Sequence, residues 1–308
     1  MAPATDLVVR DAAALPAGFS IASLPPMPAP TGVLVCAPDH FDVIDVKNPH
    51  MRENVGRVDR RRARAQWDRL VAAFAAAGAA VERIPPTAGC EDMVFTANQT
   101  FTGLDAAGRP LCVLSSMRHE SRRREVPAFE AWFRERGWRV TGPLGGDLLF
   151  EGGGDALWHP GRRLIWAGHG FRSGPEVHAE LAAAFECPVL ALELRDERFY
   201  HLDTCLAPLD ERSALFVPSA FTPQGRALLS RAFECLVEVR EDEASGALAC
   251  NAAAFDSRAV VIDDRAAHTA HALGELGYRV LPSDTGEFLK SGGSVFCMKQ
   301  WLFTSPRA

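Results

Sequence analysis

One phrase occurs five times in this 308-residue chain. An amphipathic stretch rich in Ala, Leu and Phe ends near a Gly or Cys, and a short β-rich run follows. The copies are FAAAGAAVERIPP, WFRERGWRVTGP, LAAAFECPVLALEL, LLSRAFECLVEVR and ALGELGYRVLPSD, punctuated by Gly78, Gly137, Cys187, Cys235 and Gly277. An internal repeat of about 50 residues means one supersecondary unit used again and again. The glycine copies fit a helix end turning into a strand. Between copies lie further strand candidates at Val33–Cys36, Leu111–Leu114, Arg163–Ala167, Ala214–Val217 and Ala259–Ile262. Each unit therefore reads strand, strand, helix, strand. Two α/β architectures fit: a doubly wound sheet, or a closed ring of five units. The fivefold count favours the ring, which hides its sheet edges. No linker-like stretch interrupts residues 31–308, which read as one domain. Residues 1–30 carry six prolines and read as an extended arm before the first strand.

The polar residues keep step with the repeat. Fourteen residues after Gly78, Gly137 and Cys187 stand Asp92, Glu151 and His201. Sixteen after Cys187 and Cys235 stand Asp203 and Asn251. Twenty after Gly78 and Gly277 stand Asn98 and Cys297. In a ring these places converge on the axis, and such a convergence is what an active site needs. Taken singly, each residue has a plainer reading. Cys297 could be a small buried hydrophobe, His201 a structural histidine, Asp203 a turn cap, Glu151 a surface turn residue. Asn98 and Asn251 could be turn or bulge residues. The shared phase favours the site.

The chemistry follows from the residue types. Cys297 follows SGGSVF, whose glycines let backbone approach a ligand closely. A thiolate is a strong nucleophile when a cation lowers its pKa. His201 is the general acid/base partner. Glu151 and Asp203 are surplus to a Cys–His pair and suggest a cationic electrophile. A guanidinium pairs with carboxylates through its fork of N–H donors. Attack on its central carbon gives an amidino–thioether; His201 protonates the leaving amine and then activates water.

Composition narrows the alternatives. The net charge of −6 argues against a nucleic-acid footprint but suits a small cation. No run of 18 apolar residues predicts a membrane span, and the N-terminus lacks the pattern of a secretory signal. None of the eight cysteines forms a CxxC pair, so neither a metal nor another cofactor is expected. The cysteine usage predicts a cytoplasmic protein with reduced thiols. GGDLLFEGGGDAL lacks the spacing of a dinucleotide or P-loop site. The basic runs DRRRARAQW and SRRRE read first as solvated helix faces. The segment from His40 to Asn54 is a candidate lid.

Four ordered motifs then carry a family resemblance: EDMVFTAN (91–98), FEGGGDAL (150–157), HLDT (201–204) and SGGSVFCM (291–298). The chain resembles the guanidino-group modifying superfamily, which includes arginine deiminases, dimethylarginine dimethylaminohydrolases, amidinotransferases and arginine dihydrolases. A fifth motif, CAPDHFDVIDVKNPHM (36–51), is similar to the bacterial arginine dihydrolases. The resemblance runs from about residue 31 to the C-terminus. It implies a five-bladed α/β propeller, with Cys297 as nucleophile and His201 as general acid/base. Glu151 and Asp203 would hold the guanidinium. Asp92 would meet the substrate amino group, and Phe95, in the FTAN segment, and Asn251 would join the substrate site. Arg122 and Arg172 match arginines that grip the substrate carboxylate, with Arg118 or Arg123 as other counterparts for Arg122; this replaces the solvated-face reading of SRRRE.

Deiminases and dimethylaminohydrolases carry a carboxylate where Asn98 stands, and the latter tend to lack the acid at Asp203. Asn98 together with Asn48 looks most like an arginine dihydrolase, which releases ammonia twice and leaves ornithine. The expectation is a hydrolase of linear amidine C–N bonds acting on a small guanidino substrate, with a homo-oligomer left open. A dimethylarginine hydrolase is the next reading, then a deiminase or amidinotransferase. A catalytically silent guanidino-binding protein is the reading outside enzymes, and a Rossmann-type oxidoreductase stands last.

Overall fold

A computed structural model describes residues 7–16, 18–145, 148–256 and 258–304. The fold is mixed α/β and holds five separate sheets. Four of them follow one plan along the chain. An antiparallel pair comes first, such as Thr100–Leu104 with Pro110–Leu114. A helix then crosses back, Val126–Glu135 in this case, and returns a strand parallel to the second, Arg139–Thr141. The plan recurs with Ala156–Trp158, Ile165–His169 and Val189–Glu193. It recurs again with Leu206–Pro208, Ser213–Phe216 and Cys235–Glu238, and with Ala253–Ala254, Ala259–Asp263 and Arg279–Ser283.

The remaining sheet is assembled from both ends of the domain. Gly32–Cys36 pairs in parallel with Ala80–Ile84, and its antiparallel partner is Gln300–Leu302, more than 260 residues on. All five predicted middle strands form within two residues of their expected bounds. Three of these middle strands (Gly32–Cys36, Pro110–Leu114, Ala259–Asp263) are buried along nearly their whole length, which is why they read as continuous apolar runs rather than alternating ones.

The crossover helices show why the repeated phrase is amphipathic. In Arg60–Ala76 the buried residues are Ala63, Gln66, Trp67, Leu70, Val71 and Phe74, one stripe at 3–4-residue spacing. Asp59 caps its N-terminus, accepting from the backbone N–H groups of Arg61 and Arg62 at 3.0 Å each; such a cap contributes about 1 kcal/mol. Arg60, Arg61, Arg62 and Arg64 are exposed, so DRRRARAQW is a solvated helix face. At the helix ends Gly78, Gly137 and Gly277 have φ of 100°, 74° and 81°, the left-handed region that closes a helix and releases the chain into a strand. The two cysteine copies work differently. The left-handed residue is Glu186, one before Cys187, and Cys235 already lies in its strand. These cysteines mark the start of the return strand, not the helix stop.

The N-terminal segment does more than lead into the first predicted strand. Val8–Val9 pairs in parallel with Val189–Leu190 and extends that sheet to four strands. Farther along, Met27 N–H donates to Gly161 and Arg163 N–H to Pro25. All eight cysteines are free thiols, seven of them buried. No helix among the described residues is long and apolar enough to cross a membrane.

Candidate active site

Every phased polar residue lies in the connection that leaves the parallel return strand of one sheet and enters the first strand of the next. Asp92 and Asn98 stand between Ala80–Ile84 and Thr100–Leu104, and Glu151 between Arg139–Thr141 and Ala156–Trp158. His201 and Asp203 precede Leu206–Pro208, Asn251 precedes Ala253–Ala254, and Cys297 precedes Gln300–Leu302. All seven side chains are buried. The phase seen in the sequence is thus one structural position visited five times.

Cys297 Sγ lies 3.1 Å from Asp203 Oδ2 and 3.1 Å from Asn251 Nδ2. Burial, reinforced by the Asp203 carboxylate, holds the thiol well above its ordinary pKa. Burial also pushes Asp203 up to about 6, against the opposing pull of His201. The resting nucleophile is therefore a thiol that donates its S–H to Asp203. His201 Nε2 stands 2.7 Å from Glu151 Oε2. Burial alone would raise Glu151, but Arg172 at 2.9 Å and the His201 hydrogen bond hold it well below the usual carboxylate range. An ionised Glu151 accepts, so the ring carries a hydrogen on Nε2. The Arg118 backbone N–H donates to the other oxygen, Glu151 Oε1.

A narrow pocket opens beside this cluster. Its wall includes Asp92, Phe95, Asn98 and Cys297, with Arg122, Arg172 and Asn48 around them. Glu151, His201, Asp203 and Asn251 stand behind that wall. Of the three candidate arginines, Arg122 is the buried one. Its Nε donates to Glu125 at 2.9 Å, while Nη2 reaches the Phe95 carbonyl and Asn98 Oδ1 at 3.4 Å each. Arg118 offers its backbone to Glu151, and Arg123 Nε donates to the Met117 carbonyl. Arg172 lies over the Tyr200 ring, 4.6 Å from its centroid, and its Nη2 donates to the Lys47 carbonyl. In this structure the charge of Arg172 faces Glu151. Asn48 donates from Nδ2 to the Ser291 carbonyl, and its Oδ1 caps the turn Pro49–Met51.

Three buried polar atoms of the site have no hydrogen-bond partner among the described residues: Asp92 Oδ2, which is ion-paired with Lys47, and Asn98 Nδ2 and Asp203 Oδ1, which are not. A donor and an acceptor left unspent in a dry site are costly unless a ligand uses them. The glycines of FEGGGDAL make the close approach. A Cβ on Gly154 would sit 2.4 Å from Asn98 Nδ2 and 3.1 Å from the His201 ring. Asp155 anchors the same turn, accepting from Ser173 Oγ at 2.6 Å and from the Leu202 N–H at 3.1 Å.

Sequence reasoning did not single out five pocket residues: Met51, Ser291, Gly293 and the two that matter most, Lys47 and Tyr200. Lys47, only 3% exposed, pairs with Asp92 at 3.0 Å, with Glu91 at 2.8 Å and with Asp45. Burial opposes its charge, yet Asp92 and the other carboxylates keep its pKa above the ordinary lysine value. Lys47 sits inside the quoted 36–51 motif, beside Asn48, and that position was the available signal. Tyr200 precedes His201, lines the pocket and donates to the Gly292 carbonyl at 2.8 Å. The candidate lid segment supplies Lys47, Asn48 and Met51 to the pocket, while Ile44 and Val46 on it are exposed. Among the described residues no cluster of His, Cys, Asp and Glu could hold a metal ion.

The family model described as eukaryotic N,N-dimethylarginine dimethylhydrolase matches residues 39–304. The chain belongs to this family of guanidino-group modifying enzymes. It is 39% identical over 269 residues to the bifunctional arginine dihydrolase/ornithine cyclodeaminase ArgZ of Synechocystis, a match covering 86% of this chain and 37% of ArgZ. The chain thus spans little more than a third of that relative. It is 37% identical to the dimethylarginine dimethylaminohydrolase of Mycobacterium tuberculosis, covering 84% of this chain and 82% of that one. In structure it is similar to the N-terminal domain of cyanobacterial ArgZ, solved as a cysteine-to-serine variant bound to substrate. That comparison has a TM-score of 0.82 and 37% identity, and covers 88% of this chain and 98% of the domain.

Proposed function

We infer that this guanidino-modifying enzyme is an arginine dihydrolase, and that its five sheets stand as the blades of a five-bladed α/β propeller around the site. Two features support the ring. The first strands of all five sheets contribute to the wall of one cavity of about 310 Å³, and one sheet is made from both ends of the domain.

The observation that carries the choice of reaction is Asn98. Its buried Nδ2 is an unspent donor beside His201 and Gly154. A guanidinium needs acceptors, and Asp203 and Glu151 supply them. The first product, citrulline, carries a neutral ureido group whose oxygen needs a donor. An amide provides one and a carboxylate does not. Asn98 thereby lets the same site process arginine and then citrulline. The similarity to ArgZ along the whole matched domain supports the same reading. The similarity to the M. tuberculosis dimethylaminohydrolase favours a second one, in which methylated arginine loses dimethylamine.

In the proposed reaction the Cys297 proton passes to Asp203 and Sγ bonds to the guanidinium carbon. His201, as the imidazolium paired with Glu151, protonates the departing amine. The now neutral imidazole takes a proton from water, whose hydroxide adds to the same carbon; the C–S bond breaks and Asp203 returns its proton to the sulfur. A second round on citrulline releases the second ammonia and ornithine, and the carbon leaves as carbon dioxide. Arg122 holds the substrate carboxylate and Asp92 its amino group.

The test is product analysis by mass spectrometry with L-arginine and, separately, asymmetric dimethylarginine. Ornithine with two ammonia per arginine is expected. Citrulline and dimethylamine from dimethylarginine alone would replace this reading with the second, and no product from either would overturn both.

Acid pH supplies another expected result. Asp203 must be ionised to take the thiol proton, and burial has raised its pKa to about 6. The active form is therefore present above that pH and lost as pH falls through it. kcat/KM should drop about tenfold per unit below about pH 6, since this parameter reports the free enzyme. A profile flat down to pH 4.5 would show that Asp203 does not serve as the base.

A further inference from the structure

Asn251 sits behind the nucleophile, not on the pocket wall. Its Oδ1 accepts two backbone N–H groups, from Ser294 and from Cys297, at 3.1 Å each. Its Nδ2 faces the Asp203 carbonyl at 3.0 Å and Cys297 Sγ at 3.1 Å. This arrangement fixes the amide without ambiguity. Two donors surround one end and two acceptors the other, so a flipped amide would place N–H against N–H and oxygen against oxygen. The Phe296 N–H closes the link by donating to the Asn251 backbone carbonyl at 2.9 Å. The SGGSVFCM turn is thus wrapped around this side chain.

We propose that Asn251 is a catalytic residue whose Nδ2–H carries the negative charge of the Cys297 sulfur, once when the thiol proton leaves and again when the thioether breaks. This deepens the proposed function and rests on Cys297 being its nucleophile. The need for such a donor follows from the surroundings of the sulfur. Asp203, 3.1 Å away, must be ionised to take the thiol proton, and until it holds that proton it opposes negative charge on the sulfur. The nearest cation-forming side chain in the sequence, Lys299, is fully buried over the rings of Phe296 and Trp301, at 3.0 and 3.9 Å from their centroids. Its Nζ has no hydrogen-bond partner among the described residues, and burial pushes its pKa well below the ordinary value. Burial thus disfavours the charged form of Lys299, and its Nζ makes no hydrogen bond to the sulfur. Tyr200 spends its hydroxyl hydrogen on the Gly292 carbonyl at 2.8 Å. A neutral donor, pre-aimed by two backbone N–H groups, stands against the sulfur to stabilise the thiolate. Donors aimed at developing charge in a dry site act in this way without reorganising.

The amide has two ends, and substitutions separate them. Asn251→Asp keeps an oxygen for the two backbone N–H groups but removes the donor to sulfur. Asn251→Ala removes both. Cys297 alkylation by iodoacetamide, followed by mass spectrometry across pH, reads the thiolate directly and needs no assumption about the substrate. Asn251→Asp should slow alkylation of Cys297 at least about tenfold at pH 8, with its midpoint displaced upward, and should lower kcat about 100-fold or more. An Asn251→Asp protein that alkylates like wild type over the whole range would overturn the proposal and leave Asn251 a structural anchor. Should that variant fail to fold, Asn251→Ala decides: slowed alkylation in a folded protein supports the proposal, and wild-type alkylation refutes it. Asn251-dependent alkylation together with no product from arginine would refute the substrate reading alone.

Discussion

Replacing Cys297 with serine leaves the chain folded and abolishes turnover. The exchange is nearly isosteric, and a hydroxyl can still donate to Asp203 Oδ2 and accept from Asn251 Nδ2, the two partners of the sulfur. Stability should therefore change little. The chemistry should not survive, because a serine hydroxyl is a weak nucleophile without a strong base, and Asp203, with a pKa of about 6, is too weak to activate it. A loss of at least about 10⁴-fold in kcat is expected, the scale seen when a covalent nucleophile is removed. Arginine should still bind, since Asp92, Arg122 and the rest of the pocket wall are untouched. Stopped-time assays of ornithine and titration calorimetry separate the two effects. Residual turnover within about tenfold of wild type would mean that Cys297 is not the nucleophile.

Asn98→Asp should change the product instead of stopping the reaction. A carboxylate there would face Arg122 Nη2, which already lies 3.4 Å from Asn98 Oδ1, so the fold has a partner for the new charge. The guanidinium would meet one more acceptor and the first cleavage should continue. The ureido oxygen of citrulline would lose its donor and meet a negative charge. Sites built to hydrogen-bond a group discriminate strongly when that bond is removed. Ornithine formation should fall on the order of 100-fold while citrulline accumulates. More ornithine from the variant than from wild type would refute the role given to Asn98.

These results also weigh how the site could be read before any coordinates. Asp92, Asn98, Glu151, His201, Asp203, Asn251 and Cys297 were found together because each occupies the same connection of a repeated unit, and a repeat prints its period on the chain. Lys47 and Tyr200 escaped because they fall outside the period and owe their place to packing. The partners were hidden for the same reason. Nothing local says that Glu151 serves His201 and Arg172, or that Asn251 turns its back on the pocket and its donor on the sulfur.

From sequence alone come the α/β class, the five units, the middle strands, the helix-ending glycines and the set of reactive side chains. All of these depend on periodicity, local backbone conformation or residue chemistry, which neighbours along the chain determine. Tertiary structure decided which of three neighbouring arginines is buried against the pocket. It also decided that Val8–Val9 joins the sheet of Val189–Glu193, and that Gln300–Leu302 completes a sheet begun at Gly32. It set the charges as well. Burial raises Asp203, while Glu151 is lowered against its burial by Arg172 and His201, 21 and 50 residues along the chain. Protonation in a dry site depends on distance through space, and distance through space is what a linear sequence does not contain.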